Sequence, residues 1–220
     1  VNSGSSEFYE VPLDSITNED AFATIPDNVT TFYPDNIPDS WLATIGEEIA
    51  PVPEFKLAAL FAGRLFIANF RGGEGFVRAS LVGRFGTFSK KLLFSPDPTA
   101  GEITGVHAVT QGCLVFTATS TFMVSVNDSG DGFRSQTLST TTGCVAPSSI
   151  VTMRNGVTVW LGRDGFYGSA GGTEPAFIFQ KHREVAKAHN RTRLKQAAAI
   201  FDPASGEYRC WVAVNGSIRN

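Results

Sequence analysis

A repeated pattern of two short apolar runs joined by a turn glycine constrains the fold of this chain more than any other feature. The pattern occurs four times, and its turn glycines are Gly63, Gly112, Gly156 and Gly206. They lie about 45 to 50 residues apart, the period expected of a four-stranded β-propeller blade. The runs are rich in β-branched and aromatic residues, which favour strands. The sequence therefore predicts an all-β fold of antiparallel, β-propeller-like blades that form part of a ring, and it excludes a helical solenoid.

The clearest hairpin signal lies in the third copy. Ile150–Met153 and Val157–Leu161 are apolar runs separated by two turn-forming residues, Asn155 and Gly156. This dipeptide favours a type I′ turn, in which both turn residues have positive φ. Local signals alone therefore predict an antiparallel hairpin here.

The repeats divide the chain into two parts. Residues 1–52 are predicted to form an acidic, irregular N-terminal arm with a short helix over Ser40–Ile49. Residues 53–220 are predicted to form the propeller region, with repeats near 55–102, 103–147, 148–196 and 197–220, the last one incomplete. Because closed propellers typically have four to eight blades, we expect a fragment, completed by further sequence or by neighbouring chains.

Charge differs sharply between these two parts. Residues 1–55 contain eleven acidic residues and no lysine or arginine, whereas all 18 basic residues lie from Lys56 onward. This asymmetry favours an acidic segment that meets a basic surface of the same chain or of a neighbour. A segment that is simply solvated is the alternative. The candidate acidic assembly residues are Glu7, Glu10, Asp14, Glu19, Asp20, Glu47 and Glu48.

The most basic stretch of the chain is Gln180–Gln196, which is predicted to be a helix. Its six cations create a local positive field that suits phosphates or an acidic partner, and a solvated surface helix is the alternative. Any contact with DNA would be sequence-nonspecific, because no aromatic residues lie between the cations to stack on bases. The candidate residues are Lys181, Arg183, Lys187, Arg191, Arg193 and Lys195.

Motifs for catalysis and metal binding are missing from the sequence. It contains no nucleophile elbow, phosphate-binding loop or His-Glu-x-x-His motif. We therefore predict a protein that is not an enzyme and needs no cofactor or metal, with His107 as a structural residue. Cys113, Cys144 and Cys210 lack metal-ligand spacing, so we expect buried thiols in a reducing compartment, with a disulfide between two of them as the alternative. No apolar run reaches the roughly 20 residues of a membrane-spanning helix.

Four phrases of this chain carry a resemblance to a known family: 55–69, 114–124, Gly143–Pro147 and Arg163–Tyr167. Together they resemble the propeller region of tail nozzle and head-tail stabilisation (tail tubular) proteins of short-tailed bacteriophages. The resemblance covers about residues 51–220, since it leaves the acidic arm unexplained.

This resemblance implies a structural virion protein of the phage tail rather than an enzyme. It implies a homo-oligomeric ring around the channel through which DNA is ejected, as a nozzle or head-tail connector component. Other tail, adaptor or portal proteins would be its partners, and DNA in the channel would be contacted without sequence specificity. The protein would be located in the virion after assembly in the host cytoplasm.

A carbohydrate-binding or carbohydrate-acting propeller is the alternative function, serving receptor binding or glycoside hydrolysis. That function requires clustered carboxylates and exposed aromatic side chains. Core packing is the expected role of the aromatic residues in or beside the strands, which are Trp160, Tyr167, Tyr208 and Trp211. A cellular interaction propeller is a third possibility, although Trp-Asp and kelch signatures are missing from the sequence.

Overall fold

A computed structural model of the chain describes residues 8–9, 48–50, 52–96, 99, 101–127, 133–179 and 188–214, with the backbone alone for 8–9, 48–50, Lys90, Lys91 and Val126. These residues are predominantly β and form antiparallel sheets. The predicted all-β class is therefore confirmed. Two 3-10 helices, Pro147–Ser149 and Arg191–Gln196, interrupt the strands.

The first sheet has six strands, in the spatial order β1-β2-β6-β5-β4-β3. Four of them form a consecutive up-and-down meander, and the two short N-terminal strands extend it beyond β6. The strands are β1 (Phe8–Tyr9), β2 (Glu48–Ala50), β3 (Phe55–Phe61), β4 (Arg64–Phe70), β5 (Gly73–Leu81) and β6 (Arg84–Phe94).

The second and third sheets are four-stranded meanders, and the fourth sheet is a hairpin. The second sheet contains β7 (Ile103–Val109), β8 (Gly112–Thr117), β9 (Thr121–Val126) and β10 (Phe133–Ser139). The third contains β11 (Val151–Thr152), β12 (Val157–Leu161), β13 (Phe166–Ala170) and β14 (Ala176–Phe177). The fourth contains β15 (Ala198–Asp202) and β16 (Glu207–Trp211).

The second sheet is buried on both faces, as β8 shows. Cys113 and Val115 pack with Phe66 of the first sheet in one apolar cluster. Leu114 and Phe116, which alternate with them, pack with Trp160 of the third sheet in another. Because successive side chains of a strand point to opposite faces, this alternation shows that the second sheet lies between the first and the third.

The third sheet joins the fourth through a further cluster. Leu161 packs there with Leu194 of the second 3-10 helix. The Tyr208 hydroxyl donates a hydrogen bond to the Ser149 carbonyl at 2.8 Å, and the Tyr208 ring meets that of Phe166 edge-on with centroids 5.9 Å apart. The four sheets therefore form a row, in which the first and fourth each have a neighbouring sheet on one face.

Three local predictions are wrong. Gly156 has φ +78°, but Asn155 is not among the residues of positive φ, so the turn is not type I′. The Met153 amide instead donates to the Val157 carbonyl and the Gly156 amide to that of Met153, which gives a three-residue loop closed by a glycine bulge.

The other two corrections concern helices. Glu48 and Ile49 belong to strand β2 rather than to the predicted helix Ser40–Ile49, whose remaining residues lie outside the described part. The predicted helix Gln180–Gln196 is also not continuous. His189 forms a β-bridge with Val214, and Asn190 has extended backbone angles.

Candidate interaction surfaces

The described part of the basic stretch is a short 3-10 helix beside the fourth sheet. Asn190 begins it, and its side-chain oxygen accepts a hydrogen bond from the Thr192 amide at 3.2 Å. Leu194 is buried and anchors the helix, whereas Arg191 and Lys195 are exposed and Arg193 is half-buried. The remaining three candidates, Lys181, Arg183 and Lys187, lie outside the described residues.

The described part of the acidic arm is attached to the opposite end of the row. Strand β2 contains Glu48 and pairs with β6 of the first sheet, and β1 pairs with β2. The other candidate acids, Glu7, Glu10, Asp14, Glu19, Asp20 and Glu47, lie outside the described residues. The acid-rich segment therefore joins the first sheet, whereas the two exposed cations lie beside the fourth.

The outer face of the fourth sheet combines an apolar half with a charged half. Ala198 pairs with Trp211, Ile200 with Arg209, and Asp202 with Glu207, so these six side chains share one face. The Arg209 guanidinium lies 3.0 Å from both carboxylates. The Asp202 carboxylate also accepts hydrogen bonds from the turn, first from the Ala204 amide at 2.9 Å, and these hold the pKa of that carboxyl below its usual range.

The aromatic residues predicted to pack in the core separate into two groups. Trp160 is fully buried, donates its indole N–H to the Gly143 carbonyl at 3.2 Å, and contacts the Phe116 ring at a centroid distance of 4.9 Å. Tyr167 and Tyr208 are half-buried. Trp211 is 50% exposed, so the prediction of core packing is wrong for Trp211.

The ionisable groups inside the row have packing partners. His107 of β7 lies 2.8 Å from the Thr152 hydroxyl of β11 through Nε2, and desolvation lowers its pKa. All three cysteines are free thiols, and Cys210 is half-buried. Burial raises the pKa of both Cys113 and Cys144 to about 12. Such thiols resist ionisation and are therefore poor nucleophiles at neutral pH.

Within the part of the chain that the structure describes, no three histidine, cysteine or acidic residues lie close enough together to hold a metal ion. No helix among the same residues is long and apolar enough to cross a membrane. The chain matches no protein-family model and no curated protein.

Proposed function

We propose that this chain is a structural protein of a bacteriophage tail, a nozzle or head-tail connector component that forms part of a ring around the DNA ejection channel. The observation that carries the proposal is the row of successive antiparallel meanders, three of them with a four-stranded core. Repeated four-stranded sheets are the building units of β-propellers.

The contacts between the sheets support a propeller-like arrangement. Strand β3 contacts β7, His107 of β7 bonds to Thr152 of β11, and β11 contacts β15. Each sheet therefore meets the next through its first strand. Blades that radiate from a central channel approach one another most closely at their innermost strands, and in this arrangement the first strands would occupy that position.

The family-like phrases lie where the second and third sheets meet. In the Gly143–Pro147 phrase, the Cys144 amide donates to the Thr117 carbonyl at 3.0 Å, and the Gly143 carbonyl accepts the Trp160 indole bond. A Cβ atom at Gly143 would overlap the turn between β8 and β9. The phrase therefore specifies how two sheets pack, which supports the use of the resemblance as an indicator of architecture.

Assembly would use the charges at opposite ends of the row. The acidic arm of one copy would approach Arg191 and Lys195 of another, and many weak pairs together would set the register. We expect the double charge reversal Arg191→Glu with Lys195→Glu to weaken self-association in low salt. Arg154→Glu, at an exposed cation in the β11–β12 loop, is the matched control. Equal effects of the two variants would refute this use of the charges.

Immunogold electron microscopy tests the location of the protein. Particles from the source would be labelled with antibody raised against this chain, and antibody absorbed with the purified protein would serve as the control. Gold confined to the tail is the expected result. Unlabelled particles, together with free antigen in the lysate, would refute the proposal.

One observation favours the alternative of a carbohydrate-binding propeller. Trp211 is half exposed, and the Arg209 group with its two carboxylates lies on the same face. Aromatic faces stack on sugars, and charged groups bind hydroxyls. A glycan array probed with the purified protein discriminates between the two functions, because specific binding that is lost in Trp211→Ala favours the carbohydrate function and silence favours the scaffold.

A further inference from the structure

Exposed large apolar side chains are concentrated at the two ends of the row of sheets. In or just before the first sheet they are Val52, Phe55, Leu60, Phe76, Val82, Phe85 and Leu93. After the third sheet they are Phe179, Ile200, Trp211 and Val214. Among the side chains that the structure describes, none comes from the strands of the second or third sheet. The middle of the row is therefore satisfied by its neighbours, and both ends are not.

At the first end, three of these residues form one patch, which we call the first-sheet patch: Leu60, Val82 and Phe85. They are 58%, 61% and 47% exposed. Ala59 and Phe61 pack on the second sheet, so Leu60 between them points to the opposite face. The turn that contains Val82 is tied to the β3–β4 turn, because the Gly83 amide donates to the Gly63 carbonyl at 2.8 Å.

At the other end, Ala198, Ile200 and Trp211 form what we call the fourth-sheet patch. Ile200 and Trp211 are each 50% exposed. Cys210, next to Trp211, packs against the cluster shared with the third sheet, so the patch lies on the face that points away from the rest of the row. Contiguous apolar surface of this kind marks an interaction site.

We propose that the two patches bind each other between copies of this chain, so that the fourth sheet of one copy packs on the first sheet of the next. Every junction within the chain already joins one face of a sheet to the facing side of its successor. Adding a copy in the same sense brings the fourth-sheet patch to the first-sheet patch and continues the existing packing. This contact is heterologous and closes into a ring when the rotation permits. It deepens the proposed ring-forming function and rests on it.

Sedimentation-velocity centrifugation of the purified protein over a concentration series tests the contact. Leu60→Glu introduces a charge into the first-sheet patch, and Trp211→Glu introduces one into the fourth-sheet patch. Each should weaken self-association about tenfold or more, because buried aromatic and aliphatic anchors dominate interfaces. Ser135→Glu, at an exposed position of β10 in the second sheet, should associate like the parent. Far-UV circular dichroism and melting temperature check that each variant folds.

Mixing the two patch variants is the decisive step. The Leu60→Glu protein keeps an intact fourth-sheet patch and the Trp211→Glu protein an intact first-sheet patch. A heterologous contact therefore predicts that the mixture forms a one-to-one heterodimer and nothing larger, although each variant alone stays monomeric. A mixture that stays monomeric, a parent protein that is monomeric at every concentration, or unchanged association of both variants would each overturn the proposal.

These outcomes are separable from those of the immunogold experiment. Gold on the tail combined with association that neither variant affects would refute the head-to-tail contact and leave the tail location standing. The predicted heterodimer combined with unlabelled particles would support the contact and refute the tail location.

Discussion

The indole of Trp160 links the second and third sheets, and its replacement by phenylalanine should destabilise the protein substantially. The side chain is fully buried, contacts Phe116, and donates a hydrogen bond to the Gly143 carbonyl at 3.2 Å. Phenylalanine keeps an aromatic ring in the cluster but removes both the donor and part of the volume. The substitution therefore tests the junction without deleting it.

The expected cost follows from two effects. A buried carbonyl that loses its donor costs about 1 to 3 kcal/mol. A phenyl ring in place of an indole leaves roughly 40 Å³ empty, and at about 24 cal/mol per Å³ this costs about 1 kcal/mol. Together they lower the free energy of unfolding by about 2 to 4 kcal/mol, a large part of the roughly 5 to 15 kcal/mol of a typical domain.

Urea denaturation followed by far-UV circular dichroism measures this cost, because the signal does not depend on the tryptophan that is changed. The matched control is Trp211→Phe, the same substitution at a half-exposed position of the fourth sheet. It should change the free energy of unfolding by less than about 0.5 kcal/mol in dilute protein. Equal costs for the two variants, at equal m-values, would refute the role of Trp160 at the junction.

Three further predictions follow from backbone geometry and burial. Ala62 has φ +50° in the two-residue β3–β4 turn, so Ala62→Asn should raise the melting temperature, with a gain of about 0.5 to 1 kcal/mol. A lower melting temperature would contradict this. Gly143→Ala should cost about 2 kcal/mol or more, because the added methyl group overlaps the backbone between β8 and β9, whereas Gly86→Ala meets nothing within 4 Å and serves as the control in the same denaturation assay. The raised pKa values of Cys113 and Cys144, about 12 each against 9.0 for a free thiol, predict slow reaction of the native thiols with Ellman's reagent at pH 8. Since unfolded thiols ionise first, stability should fall as the pH rises from about 9 towards 12, and fast labelling of both native thiols would contradict this.

Local sequence signals predicted hairpins well and their turn geometry less well. β-branched runs around Gly63 and Gly156 correspond to antiparallel strand pairs, because strand propensity and turn glycines act over a few residues. The turn at Asn155 was predicted wrongly because asparagine accepts either sign of φ. The loop length, which the pairing of Met153 with Val157 determines, decided the conformation.

The basic stretch shows a different reason for failure. A cluster of cations with few apolar residues was interpreted as a solvated helix, but isolated helices of such composition have little intrinsic stability. In the structure, Leu194 is buried in the third cluster and His189 bridges to Val214. Contacts distant in sequence therefore replaced the helix with extended backbone and one short 3-10 helix.

The sequence by itself determined where this chain forms strands and turns, since those preferences arise from φ/ψ sterics and side-chain branching within a few residues. Only the tertiary structure decided which faces of the sheets are covered. Trp160 and Trp211 both lie in apolar strand-like runs, yet Trp160 lies between two sheets and is fully buried, whereas Trp211 lies on the outer face of the last sheet and is half exposed. Burial depends on what packs against a face, and for both end sheets that neighbour is not another sheet of the described chain.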